Sequence, residues 1–227
     1  RRMRYSSKRT GCGFMLLLFS FIMIGMTGCG KQERKEISVY IADDGTFAVS
    51  GPEADVEAKI NEYLQTETQQ ILAVYKENMG VKSFFQTQML QYEVSGSYLS
   101  IYCELWTESM VRAGGYEVAR VSFVFSLEDG HRVFPDEIMD VDAWMELLRQ
   151  TENVVCIKDE IDPLYTATVR ERLAERSDEE LCAELAACCM SETEWLKCEE
   201  SLWDKASFGL YDGKYCFYFT LMEGFYW

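Results

Sequence analysis

Residues 98–106 limit most tightly what this chain can fold into. Leu99, Ile101, Cys103 and Leu105 alternate there with Tyr98, Tyr102 and Trp106, the period of two that marks a half-buried strand. Neighbouring runs are of the same kind. Residues 83–94 alternate more loosely and stop at Ser95-Gly96-Ser97, while residues 116–127 follow Gly114-Gly115 and contain Val118, Phe123, Val124 and Phe125. Glu128-Asp129-Gly130 reads as a tight turn into one more extended run, residues 131–134. Strands joined this closely predict an antiparallel meander, and a meander must bury one face against another element.

The covering element lies upstream. A short ribbon is expected first, residues 37–41 and 46–49 around Asp43-Asp44-Gly45. Pro52 then opens a helical pattern with Glu53, Asp55 and Glu57 at its positive end. Val56, Ile60, Tyr63 or Leu64, Thr68, Ile71, Val74 and Tyr75 keep helical spacing to about Asn78, roughly seven turns.

Downstream, Pro135-Asp136-Glu137-Ile138-Met139 begins a helical half. A helix from Val141 or Asp142 to Arg149 places Trp144, Leu147 and Leu148 on its apolar face. Another starts at Pro163 and runs to about Ala174. Ser177 with Glu180 is a capping box leading a helix to about Met190, with Leu181, Leu185 and Cys188 or Cys189 inward; Ser191 with Glu194 is a second. Residues 206–211 and 214–222 form an aromatic hairpin around Asp212-Gly213. The fold class expected is α+β: a long helix on an antiparallel meander, then a helix-rich half closed by a C-terminal β-hairpin.

The first residues read as an address. Arg1, Arg2, Arg4, Lys8 and Arg9 precede an apolar run from Phe14 to Met26, followed by Thr27-Gly28-Cys29. Thirteen apolar residues fall short of the ~20 that span a bilayer core as a helix. The pattern is that of a secretory signal with small residues before a cysteine, and it resembles the lipobox of bacterial lipoproteins, with Met26 where Leu is usual; an uncleaved signal anchor and simple secretion are the alternative readings. The resemblance implies cleavage before Cys29 and lipid on its thiol. The expected organisation is therefore a signal peptide over 1–28, a tether over 29–36, a small α+β module over 37–112 and a second α+β domain over 113–227. The expected location is the outer face of a cell membrane, reached through lipid on Cys29.

Charge narrows the partners. The whole chain carries −16; without the five basic leader residues, 17 basic side chains face 38 acidic ones, a charge of −21. Nucleic acid requires a basic footprint and is excluded. The excess fits a soluble surface protein, or attraction to a basic partner. Of nine cysteines, Cys12 lies in the leader and Cys29 is the lipidation site. The odd seven left (Cys103, Cys156, Cys182, Cys188, Cys189, Cys198 and Cys216) do not make a closed disulfide framework. Buried thiols, a bridge within 182–198 and a zinc site are the three readings, the last without a Cys-x2-Cys pair or a nearby histidine.

Gly114-Gly115-Tyr116, Phe123-x-Phe125-x-Leu127-x-Asp129-Gly130, Val133-Phe134-Pro135-Asp136-Glu137-Ile138 and residues 210–219 occur in an order that resembles the extracellular region of RsiV-like proteins. There the domain of unknown function 3298 follows a smaller module shared with the PdaC deacetylase. The resemblance spans most of residues 37–227. It implies an outer sensor-like domain, and one family member binds lysozyme. Anti-sigma members carry a cytoplasmic segment; with 28 residues before Cys29, the expectation here is a tethered binder without one.

Catalytic chemistry has little to build on. His131, the single histidine, sits beside a turn, so a Ser-His-Asp or Cys-His site would have to use it, and a His-rich metal site is excluded. The carboxylate pairs Asp43-Asp44, Glu128-Asp129 and Asp140-x-Asp142 read as turns and caps. The candidate partner-binding residues are aromatic: Tyr215, Phe217 and Phe219 on one face of the terminal strand, and Tyr98, Tyr102 and Trp106 on the meander, each set equally suited to packing. The expectation is a lipid-anchored extracytoplasmic binding protein, not an enzyme and without a cofactor or metal, that recognises a basic wall-active protein such as lysozyme. The alternative is a carboxylate-dependent hydrolase acting on wall or glycan.

Overall fold

The computed structural model describes residues 36–43, 46–79, 85–109, 115–154, 164–199, 202, 205–211 and 213–219. Strands β1 (Ser38–Ile41) and β2 (Phe47–Ser50) pair antiparallel, Ser38 opposite Ser50 and Ile41 opposite Phe47. Helix α1 (Ala54–Met79) follows, with Asp55 and Glu57 in its first turn, where negative charge suits the helix dipole. Val56, Ile60, Leu64, Ile71 and Tyr75 are buried at helical spacing. The stripe is interrupted by two buried polar residues, Glu67 and Thr68.

The meander forms as the alternation requires. Strands β3 (Phe85–Ser95), β4 (Tyr98–Ser109) and β5 (Gly115–Ser126) make one antiparallel sheet in that order. Leu99, Ile101, Cys103 and Leu105 of β4 join Val121, Phe123 and Phe125 of β5 in one core with the buried face of α1. This core draws on residues on both sides of position 112. The other sheet face carries Ser100, Tyr102, Ser122 and Val124, all buried.

The run after β5 differs from expectation. Residues 131–134 do not form a strand; a single bridge pairs Phe125 with Arg132. The chain turns through Gly130 at φ 81°, where a side chain would press on Val56 O of α1 at 2.9 Å. Pro135 then opens helix α2 (Pro135–Ile138) with Phe134 as its cap, so the chain leaves the sheet before a ladder can form.

Helix α3 (Val141–Arg149) is capped by Asp140, whose carboxylate accepts from Ala143 N at 2.8 Å. Trp144 and Leu148 are buried, whereas Leu147 is 40% exposed and lies off the stripe that the i, i+4 pair defines. A 3-10 turn spans Thr151–Asn153. Helices α4 (Leu164–Glu175), α5 (Asp178–Cys188) and α6 (Glu192–Cys198) follow. Both capping boxes form, Ser177 with Glu180 and Ser191 with Glu194.

Strands β6 (Ser207–Tyr211) and β7 (Lys214–Tyr218) close the described chain as a hairpin. One of its faces lies on the sheet: Tyr218 and Cys216 cluster with Tyr102, and Leu210 N donates to Ser100 Oγ at 2.9 Å. The other face joins Trp144, Leu148, Val169, Leu173, Leu181 and Leu185 in a second core through Phe208 and Leu210. Leu196 of α6 and Leu202 cross to the α1 side. The fold is α+β, with a long helix on a meander and a helical half closed by the hairpin. These residues lie within one unit, Arg34–Trp227.

Candidate functional site

The expected aromatic residues fall into two settings. Tyr215 and Phe217 share a hairpin face, each edge-on to Trp144 at 5.0 and 5.1 Å. Phe219 is buried and stacks on Phe217 at 5.5 Å. Tyr215 is half exposed, at 50%. Tyr102 is buried under the hairpin and stacks on Tyr218 at 4.7 Å. Tyr98 is partly buried against the second core. Trp106 lies in β4 opposite Gln86 and Val118. Tyr102, Phe217 and Phe219 therefore belong mainly to packing, and the Tyr215 ring is largely open to a partner. Cys29 lies outside the described residues, as do the leader and most of the tether.

The accessible chemistry gathers instead around the turn after β5. Glu128, Asp129, Asp136, Glu137, Asp140, Asp142 and Glu146 are all exposed, whereas Arg132, the only Lys or Arg between 128 and 146, is buried. His131 stands within this acidic run. Its Nδ1 is 2.6 Å from Asp129 Oδ1 and its Nε2 is 3.1 Å from Glu137 Oε2. The hydrogen bond from His131 pulls the Asp129 carboxyl down to about 2, and the same contact raises the imidazole above its ordinary value. Both ring nitrogens are thus engaged by carboxylates, which favours imidazolium.

Six described cysteines are free thiols. Cys103, Cys188 and Cys216 are buried, and Cys182 and Cys198 are exposed. Cys156 lies outside the described residues. Burial pushes Cys216 up to about 12 and Cys189 up to about 11, and a raised thiol pKa leaves little thiolate for attack or for metal. Among the described residues no three His, Cys, Asp or Glu side chains are grouped to hold a metal ion. A crevice beside β6, lined by Glu93, Ser100, Tyr102, Ser122, Gly209 and Tyr218 among others, encloses about 210 Å³ including open solvent, less than a drug-sized ligand needs.

Sequence reasoning missed a buried ionic centre on the α1 side of the sheet. The Arg132 guanidinium lies 4.6 Å from the Phe123 ring centre and 5.4 Å from that of Phe134, and its Nη2 donates to Ser122 O at 2.6 Å. Glu192 of α6 is wholly buried, with Oε1 3.6 Å from Arg132 Nη2 and 3.9 Å from Lys205 Nζ. Glu67 of α1 accepts from Thr193 N at 2.6 Å. These residues are far apart in sequence, and Glu192 sits where an acid ordinarily serves a helix start, so the pattern gave no sign of the cluster.

No protein-family model and no curated protein sequence matches this chain.

Proposed function

We propose that this chain is a lipid-anchored extracytoplasmic binding protein, held through Cys29 at the outer face of a cell membrane, that recognises a basic wall-active protein such as a lysozyme. The observation that carries the reading is the run of seven exposed carboxylates between 128 and 146 with no exposed Lys or Arg among them, on a chain whose mature part carries −21 by the count above. Such a field raises the rate of encounter with a basic surface and repels acidic ones. The resemblance to RsiV-like outer domains points to the same class of partner.

The test is calorimetry of lysozyme titrated into the full chain in mild detergent. Binding heat at low salt, with affinity falling as salt rises, supports the reading. Absence of heat at low salt refutes it. Turnover of peptidoglycan fragments, abolished by single Asp or Glu substitutions, would assign the chain to the hydrolases instead.

A further inference from the structure

Three of the exposed large apolar residues, Val141, Leu147 and Tyr215, gather around the buried Trp144. Val141 and Leu147 lie three residues before and after it on α3, the spacing of neighbours on a helix surface. Tyr215 meets it from the hairpin, edge-on at 5.0 Å, and stacks on Phe208 at 6.1 Å. Two neighbouring rings thus fix the Tyr215 ring while half of the residue stays open. Arg149 donates to Asp178 Oδ1, Leu173 O and Arg176 O, so the turn between α4 and α5 covers that side of α3. At about 100° per residue, Leu147 falls on the side of Trp144 away from Arg149. Asp140, Trp144 and Leu147 are spaced i, i+4, i+7, one stripe of the helix. Trp144 Nε1 donates to Pro135 O at 2.9 Å, which brings the start of α2 to the same side chain. Lys214, next to Tyr215, belongs by alternation to the opposite face of β7 with Cys216 and Tyr218.

We propose that Tyr215, seated on Trp144 and bordered along α3 by Leu147 and Asp140, is the docking point for an arginine side chain of a basic protein partner. This rests on the partner reading above and names the group that would be recognised. An apolar patch alone would suit many occupants, and here the surrounding charge selects among them. Asp136, Glu137, Asp140, Asp142 and Glu146 are exposed on or between the two helices that Trp144 joins, and the half-buried Arg149 is the only Lys or Arg on those helices. A second copy of this acidic chain would be repelled. A guanidinium is flat and weakly hydrated, stacks on a tyrosine face and donates to a carboxylate, and its aliphatic stem covers apolar surface such as Leu147. An ammonium is compact and strongly hydrated, so lysine can use the carboxylates but gains less from the ring. A ring already held in place loses little freedom on binding, which suits Tyr215 to the centre of an interface.

Calorimetry on the full chain in mild detergent, with octa-arginine and octa-lysine as titrants of equal charge, tests the site. Octa-arginine should bind more tightly. Tyr215→Ala should weaken it about two- to fivefold, the range of an exposed contact between a cation and a ring, and should affect octa-lysine less. Tyr215→Phe keeps the ring and should keep the affinity. Tyr40→Ala removes a tyrosine of similar exposure on β1 and should change nothing. If Tyr215→Ala does not fold, NMR on the unsubstituted chain carries the test: the Tyr215 ring protons should shift with octa-arginine and those of Tyr40 should not. Equal affinity for the two peptides, no loss in Tyr215→Ala, a loss in Tyr40→Ala as large as in Tyr215→Ala, or an unmoved Tyr215 ring would each overturn the site. Lysozyme in the same assay separates this claim from the partner reading. Silence from lysozyme, with octa-arginine behaving as stated, refutes the lysozyme reading and supports the arginine site. Lysozyme binding that Tyr215→Ala leaves intact supports that reading and overturns the site.

Discussion

Replacing Gly209 with alanine tests how the hairpin sits on the sheet. A Cβ at this position would lie 2.5 Å from Ser122 Oγ, 3.2 Å from Ser100 Oγ and 3.5 Å from Ser122 Cβ. Ser100 is poorly placed to yield, because its hydroxyl accepts from Leu210 N. Forcing a methyl into such a contact costs about 1–3 kcal/mol. Removing glycine's freedom from the unfolded chain returns about 0.4–1 kcal/mol. The net expectation is destabilisation of about 1–2 kcal/mol. Ser122 Oγ has no hydrogen-bond partner among the described residues, so Ser122→Ala alone should be close to neutral. In the Ser122→Ala background the 2.5 Å clash is gone and the 3.2 Å approach to Ser100 Oγ is the tight contact that remains, so Gly209→Ala should then cost less than in the parent. The coupling is expected to be favourable by about 1 kcal/mol or more. Urea unfolding of the four proteins measures it, with unchanged slopes showing that the unfolded state is comparable. A Gly209→Ala midpoint equal to the parent's, or an equal cost with and without Ser122, would refute the close approach of β6 to the sheet.

Three further outcomes are expected. Trp144 is 2% exposed, donates to Pro135 O at 2.9 Å and stacks edge-on with Phe208, Tyr215 and Phe217, so Trp144→Ala should cost about 3–5 kcal/mol in thermal or urea unfolding; a loss within experimental scatter would contradict the second core. The His131 ring protons should titrate above 6.5 by NMR and move back towards it in Asp129→Asn. The stabilisation from His131 is complete below 6.5 and lost as pH rises through its folded value, while that from Asp129 holds above 3.8 and is lost as pH falls towards about 2; an unshifted titration would contradict the contact. A thiol reagent on the native chain should modify Cys182 and Cys198 promptly and reach Cys103 and Cys188 only on unfolding; early labelling of Cys103 would contradict its burial.

Local patterns were legible where a single element decides the outcome. The period of two across Leu99, Ile101, Cys103 and Leu105 and the boxes at Ser177 and Ser191 depend on near neighbours, and each forms as read. The run from His131 to Phe134 failed as a strand because Pro135 starts a helix at once. Leu147 failed as core because Trp144 and Leu148 set the buried stripe. The aromatics at Tyr102 and Phe219 looked equally suited to packing or binding, and only the hairpin's seat on the sheet shows them buried. The ionic centre was illegible for a different reason. Glu67, Arg132, Glu192 and Lys205 come from four separate segments, and each in isolation looks like a solvated charge.

The most direct measurement compares lysozyme affinity for two variants of equal charge. Asp142→Lys with Glu146→Lys inverts part of the acidic run, whereas Glu62→Lys with Glu175→Lys makes the same change in net charge at exposed positions elsewhere. If the run between 128 and 146 is the docking surface, the first pair should weaken calorimetric binding about tenfold or more and the second much less. Equal weakening by both pairs, or none by either, would contradict recognition through that surface.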